Sequence, residues 1–196
     1  MTIAKEDYYS KNRQWSDKFF KNKQVNRIIY KVLKVNANEI IDLEPASETN
    51  DRNYCIDYEI IIKTGKIACR IRNLERMEGK GVADKRDFSI RSKSNGFLTE
   101  IDKLQTAEVR WYLFCWAYGK NIIDWIFIDL DVFRETDWLE KKWLEIPNLA
   151  DGTAGIYIPF EYLLENNCIV QYNSNIISDY AKKIGYRKPK NNFRSW

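Results

Sequence analysis

The stretch "DYEIIIKTGKIACRIRN", residues 57–73, constrains this chain more than any other. Ile56, Tyr58, Ile60 and Ile62 alternate with Asp57, Glu59, Ile61 and Lys63, and a period of two belongs to a strand with one apolar face. Thr64-Gly65 offers a two-residue turn, because Gly accepts the positive φ that hairpin turns require. Closing there sets Ile62 against Ile67, Ile60 against Cys69 and Tyr58 against Ile71. The same register predicts Glu59 opposite Arg70 and Asp57 opposite Arg72 on the other face, since opposed residues of an antiparallel pair point the same way. Two uses of that charged face stay open. It can hold plain cross-strand ion pairs, each contributing roughly 0.2–1 kcal/mol, or it can act on a charged ligand.

Composition narrows the chemistry. The chain has no histidine, which removes imidazole-based triads, His-ligated zinc and metalloprotease motifs built on paired histidines. Catalysis would have to rest on carboxylates, Lys, Tyr or a metal held by oxygen. A length of 196 residues fits a single domain over 1–196, large enough to bury a core without disulfide or metal staples. Cys55, Cys69, Cys115 and Cys168 are far apart with no CxxC pair, and no cationic stretch followed by an apolar one opens the chain. Reduced, buried thiols in a cytoplasmic protein are therefore expected. The longest apolar run, "WYLFCWAY" at 111–118, is too short to span a bilayer, so no membrane partner is expected.

Along the chain, Ser16 to Leu33 places Phe20, Val25, Ile28, Ile29 and Val32 at helical spacing behind a Ser16 cap, with Lys21 and Arg27 among the polar positions. "EIIDL" predicts a short strand, and "RDFSIRSK" a third strand beside the hairpin with Phe88 and Ile90 buried. Thr99 caps a predicted helix that runs on through the apolar residues Trp111–Tyr118 and ends at Gly119. "NIIDWIFIDLDVF" reads as a central strand, apolar on both faces. Residues 136–146 read as a short amphipathic helix or an extended excursion. "IYIPFEYLLENNCIVQYN" reads as strand, short helix opened by Pro159, and strand. The tail 180–196 carries Lys182, Lys183, Arg187, Lys188, Lys190 and Arg194 without one acid. Those cations, interleaved with Tyr186, Phe193 and Trp196, can neutralise phosphates while rings stack on bases. The fold class expected is α/β, with α+β as the alternative: a central mixed sheet containing a β-hairpin, flanked by helices.

The order helix, acidic loop, hairpin, strand, helix, strand over residues 16–130 resembles the core of the PD-(D/E)xK, restriction-endonuclease-like nucleases, including small phage-encoded members. The resemblance implies an Asp on one hairpin strand and a (D/E)xK triplet on the other holding Mg2+ or Mn2+, hard cations that oxygen ligands suit and that lower the pKa of bound water. Asp57 matches the first acid. The second motif departs from the pattern: "ACRIR" puts Ala68, Arg70 and Arg72 where the acid and Lys belong, and arginine stays protonated and serves badly as a base. Glu59, Asp51, Glu48, Glu44 or Glu100 could supply the missing ligand.

Two functions follow. The first is a metal-dependent DNA endonuclease or nickase, a phosphodiesterase in which Asp57, Glu59, Asp51 and Glu48 hold the metal and Arg70 and Arg72 steady the phosphate. Lys21, Arg27 and the basic tail would then grip the DNA backbone. The second is a non-catalytic binder or inhibitor of phage type on a degenerate nuclease scaffold, docking on protein or nucleic acid, with a homodimer also open. Trp138, Trp143 and Trp196, set among charged residues, are its candidate contact aromatics.

Overall fold

The computed structural model describes residues 14–19, 21–33, 40–45, 58–62, 65–75, 86–93, 99–105, 109–148 and 152–186. Within them β1 (Ile40–Pro45), β2 (Tyr58–Ile62), β3 (Gly65–Asn73), β5 (Trp111–Tyr118), β6 (Asn121–Asp129) and β9 (Ile169–Asn173) form one sheet in the order β1-β2-β3-β5-β6-β9. β3 and β5 pair in parallel and the other neighbours antiparallel. β4 (Phe88–Lys93), β8 (Thr153–Ile158) and β7 (Leu144–Asn148) make a second, antiparallel sheet in the order β4-β8-β7. The described helices are α1 (Gln24–Leu33), α2 (Glu100–Leu104), α3 (Leu130–Arg134), α4 (Phe160–Glu165) and α5 (Asn175–Lys183). This is the expected α/β class, with a mixed central sheet.

The large sheet has a core on each face. On one face Val25, Ile29 and Val32 of α1, with Phe19, cover Ile67, Cys69, Ile71, Trp111, Leu113, Cys115, Trp125 and Phe127. Lys23, at φ 57°, divides residues 14–19 from α1, so the single helix expected from Ser16 is two helical pieces. Gln24 then pins α1 to the β5–β6 hairpin, its amide donating to the Lys120 carbonyl at 2.8 Å and accepting from the Ile122 N–H at 2.9 Å. Gly119 gives that hairpin turn its positive φ of 60°.

The second face carries Ala68, Tyr112, Phe114, Trp116, Ile126 and Ile128, and on it sit the second sheet and the remaining helices. Its centre is Phe88 of β4, fully buried, whose ring meets Tyr112, Phe114 and Phe133 edge to face at 5.3, 5.5 and 5.7 Å. Such pairs add roughly 0.5–1.5 kcal/mol each beyond the area they bury.

Four expectations are corrected here. The run Trp111–Tyr118 is not a helix but β5, buried on both faces; apolar residues without alternation fit a central strand as well as a buried helix. The helix at Thr99 is real but short, with Thr99 and Asp102 exchanging hydrogen bonds and the Arg134 Nε closing the Leu104 carbonyl at 2.7 Å. β4 does not extend the hairpin's sheet; it pairs with β8, although Phe88 and Ile90 are buried as expected. The hairpin register is shifted by two residues: Ile62 faces Gly65, Ile60 faces Ile67 and Glu59 faces Ala68, not Arg70. A shift of two keeps every side chain on its own face, so the apolar pattern could not detect it.

β1 forms as expected and so does β6 as far as Asp129, but Leu130–Phe133, read as the end of that strand, instead open α3 behind an Asp129 cap, whose carboxylate accepts the Asp131 and Val132 N–H groups; Pro159 opens α4 between β8 and β9. Cys69, Cys115 and Cys168 are buried thiols, and Cys55 lies outside the described residues. Burial pushes the Cys168 thiol up to about 12, so it stays protonated at neutral pH. Residues 136–143 are turns that lead into β7, and the basic tail begins inside α5, whose cap is Ser174. No helix among the described residues is long and apolar enough to cross a membrane.

Phe88→Ala, which empties a ring site between the two sheets, should cost roughly 3–5 kcal/mol in urea unfolding.

Candidate functional site

Because β3 alternates, Ala68, Arg70 and Arg72 share the face that looks toward the second sheet, while Ile67, Cys69 and Ile71 look toward α1. The charged face of β3 thus looks into the molecule. Arg70 forms an ion pair with Glu100 at the start of α2, whose side chain is only 7% exposed. The other Glu100 oxygen accepts the Arg91 backbone N–H at 2.5 Å. Arg72 donates through Nε and Nη2 to the Ser89 hydroxyl, the Nε contact at 2.8 Å. A third link lies on β6, where Arg86 pairs with Asp124 at 2.6 Å and lies over the Trp116 ring at 5.9 Å from its centroid.

Electrostatics follow from this geometry. Burial alone would push the Glu100 carboxyl up, but the Arg70 and Arg91 charges and the Arg91 amide outweigh it and hold it below its ordinary value. Burial pushes Arg72 down to about 10, helped by the Arg70 charge two residues away.

Of the residues expected to form a metal centre, Asp57, Asp51 and Glu48 lie outside the described residues. Glu59 lies on β2 opposite Ala68, and its side chain is outside them too. Glu100 is spent on Arg70 and the Arg91 amide. Among the described residues no three acids or cysteines gather in a way that could hold a metal ion. Arg70 and Arg72 are brought together, but by interior contacts with Glu100 and Ser89. Lys21 and Arg27 are exposed, as are Lys182 and Lys183 on α5; Lys182 reaches Asp179 at 3.6 Å. Arg187, Lys188, Lys190 and Arg194 lie outside the described residues, with Trp196.

A cleft that the sequence did not announce opens elsewhere, between α4, α5 and the second sheet. Its volume is about 870 Å³ and its walls include Trp143, Leu144, Tyr157, Phe160, Ile176 and Tyr180. Phe160 and Tyr180 meet edge to face at 5.6 Å, and Trp143 stands against Tyr162 at 4.9 Å. The Trp143 indole donates to the Trp138 carbonyl at 2.6 Å. Trp138 itself is not on the surface but 1% exposed, its ring tilted against Phe133 at 4.8 Å. Asp87, Glu161 and Asp179 mark the rim with Lys142 and Lys183. The cleft's one sequence signal is Trp143 among charges. The rest comes from chain segments as far apart as 87, 143, 157 and 180.

No protein-family model matches the chain, no curated protein matches it, and no solved structure matches it.

Glu100 has a folded-state pKa below its unfolded one, so its contribution to stability is complete above pH 4.5 and is lost as pH falls through the lowered value. Glu100→Gln should flatten that acid limb in pH-dependent urea unfolding. At pH 7 it should cost roughly 1–3 kcal/mol, because the half-buried Arg70 loses the charge of Glu100.

Proposed function

We propose that the chain is a binding protein whose cleft takes an extended segment of another protein. The observation that supports this best is the cleft itself: aromatic walls beside Leu144 and Ile176, large apolar side chains left 54% and 40% exposed. Exposed apolar surface gathered in a concavity marks a contact site more often than scattered surface residues do. Aromatic rings give contact area at low entropic cost. The rim sets three carboxylates against two ammonium groups, which suits a polypeptide of mixed charge better than a polyanion, whose phosphates would meet Asp87, Glu161 and Asp179.

Selection from a random peptide library on the full chain tests this reading. The selected peptides should lose about tenfold or more in affinity, ~1.4 kcal/mol, against Leu144→Asp and Ile176→Asp, as read by calorimetry. Peptides that bind the wild type and both variants alike overturn it. Both positions are partly exposed, so the variants should keep the wild-type fold.

The metal-dependent endonuclease is the second reading, and the strand arrangement supports it. The β2–β3 hairpin is present as the resemblance to PD-(D/E)xK nucleases implies, and β5 lies parallel to β3, whereas the strand and long helix expected after the hairpin are β4 of the second sheet and the short α2. Asp57 directly precedes β2 and Glu59 lies on it. Under this reading Asp57, Glu59, Asp51 and Glu48 would hold Mg2+ or Mn2+, which would neutralise charge on the phosphodiester, and exposed Lys21 and Arg27 would meet the backbone. Arg70, closed onto Glu100, does not fit the role of phosphate ligand. Supercoiled plasmid with Mg2+ or Mn2+ decides between the two: nicking by the wild type and not by Asp57→Ala favours the nuclease, and plasmid left supercoiled sinks it.

A further inference from the structure

The interior face of β3 gathers more positive charge than the described residues neutralise. One carboxylate, Glu100, feels the charges of Arg70, Arg91 and Arg72, so three guanidinium groups stand around one acid. Both Glu100 oxygens are engaged, one by Arg70 and the other by the Arg91 N–H. Arg72 has no carboxylate among the described residues. Its Nε and Nη2 share the Ser89 hydroxyl, a neutral acceptor that is 2% exposed. A guanidinium has five N–H donors, and a single hydroxyl with two lone pairs satisfies two of them. The outer edge of the Arg72 fork, around Nη1, is left for something else.

A cation crowded by protein is costly, and the cost is visible here: burial and Arg70 disfavour the charged form of Arg72 and outweigh the Glu100 charge that favours it. Yet the residue as a whole is half-buried and not sealed inside the core. Tyr157 faces Ser89 in the β4–β8 register, so its side chain leaves the sheet on the Ser89 side. It also lines the cleft, so the neighbourhood of Arg72 adjoins that opening without depending on what the cleft binds. The planar fork of arginine matches two oxygens of one oxyanion, which makes it the natural partner for phosphate and carboxylate groups.

We propose that Arg72, held by Ser89 at the margin between the two sheets, is an anion site that takes an oxyanion group of a ligand, of phosphate or carboxylate type. Arg72 supplies the fork and Ser89 sets its orientation by accepting from Nε and Nη2. The anion supplies the negative charge that the described surroundings of Arg72 lack.

Thermal unfolding of the full chain in phosphate and in chloride at matched ionic strength tests the proposal. With phosphate about 100-fold above its Kd, the wild-type Tm should rise roughly 5 °C more than that of Arg72→Met. In chloride, Arg72→Met removes a crowded charge but takes the Arg72 donors from the buried Ser89 hydroxyl, so the test reads the difference between the two salts within each protein and not the absolute Tm. Phosphate stabilises folded proteins generally by exclusion from their surface. Equal rises in the two proteins therefore overturn the proposal, as does a wild type whose Tm is the same in both salts. Where Arg72→Met does not fold, Arg72→Lys, a point charge without the fork, takes its place: a rise smaller than that of the wild type supports the site, and an equal rise overturns it. An arm in acetate distinguishes the ligand. A rise there as well marks a carboxylate, and a rise with phosphate alone marks a phosphoryl group.

Discussion

The structure depends on how β4 is fastened across the large sheet. Phe88 drives a ring into the layer made by Tyr112, Phe114 and Phe133, and three polar links hold the strand around it: Arg86 to Asp124, Ser89 to Arg72, and the Arg91 amide to Glu100. The ring contributes most of the free energy, because burying apolar area is the dominant favourable term. The polar links fix where β4 lies, since each must find a partner or leave a group desolvated without one. β8 and β7 follow β4 by backbone pairing, and α4 and α5 close over the same core. The cleft is therefore a consequence of the same docking: its Asp87 and Tyr157 walls belong to the second sheet, and Phe160 and Tyr180 belong to the helices.

That arrangement reassigns the charges of the hairpin. An open sheet face would leave Arg70 and Arg72 as solvated cations worth little to stability, whereas under a second sheet each must be answered. Arg70 is answered by Glu100, and the pair holds its ions well enough to keep the acid ionised against the cost of burial. Arg72 is answered only by a hydroxyl. Two arginines at alternate positions of one strand thus differ in kind, one closed by its acid and one still short of charge. The difference arises in α2, which reaches the first and not the second.

The two functional readings use different parts of this molecule. A phosphodiesterase would be built around β2 and the acids near it, on the β2–β3 hairpin that the resemblance to PD-(D/E)xK nucleases implies. A binding protein would use the cleft between α4, α5 and the second sheet, where aromatic rings and mixed charge converge. The two surfaces share β4 as a boundary: its Arg91 amide and Ser89 hydroxyl meet the groups behind the hairpin, and Asp87, just before the strand, stands in the cleft wall.

Local pattern made much of the fold legible. Alternation at Tyr58–Ile62 and Phe88–Lys93 marked strands, Thr99 and Pro159 marked helix starts, and the spacing of Val25, Ile29 and Val32 marked the buried stripe of α1. These are properties that neighbours in sequence decide, through the pleat, the cap and the helical turn. What failed were properties that distant segments decide. The apolar run at 111–118 is a strand because β3 and β6 lie on either side of it, and the hairpin slid by two residues because no feature of its own alternation distinguishes the two registers. Trp138 left the surface because Phe133 and the core came to it. Absence of histidine and the acid-free tail were fixed by the sequence alone, and with them the range of chemistry open to the chain. Which charges are spent and which are free was decided only by tertiary structure. A charge is neutralised by whatever packs within a few ångströms of it, and sequence separations of 17 and 30 residues, as between Arg72 and Ser89 or Arg70 and Glu100, carry no information about that distance.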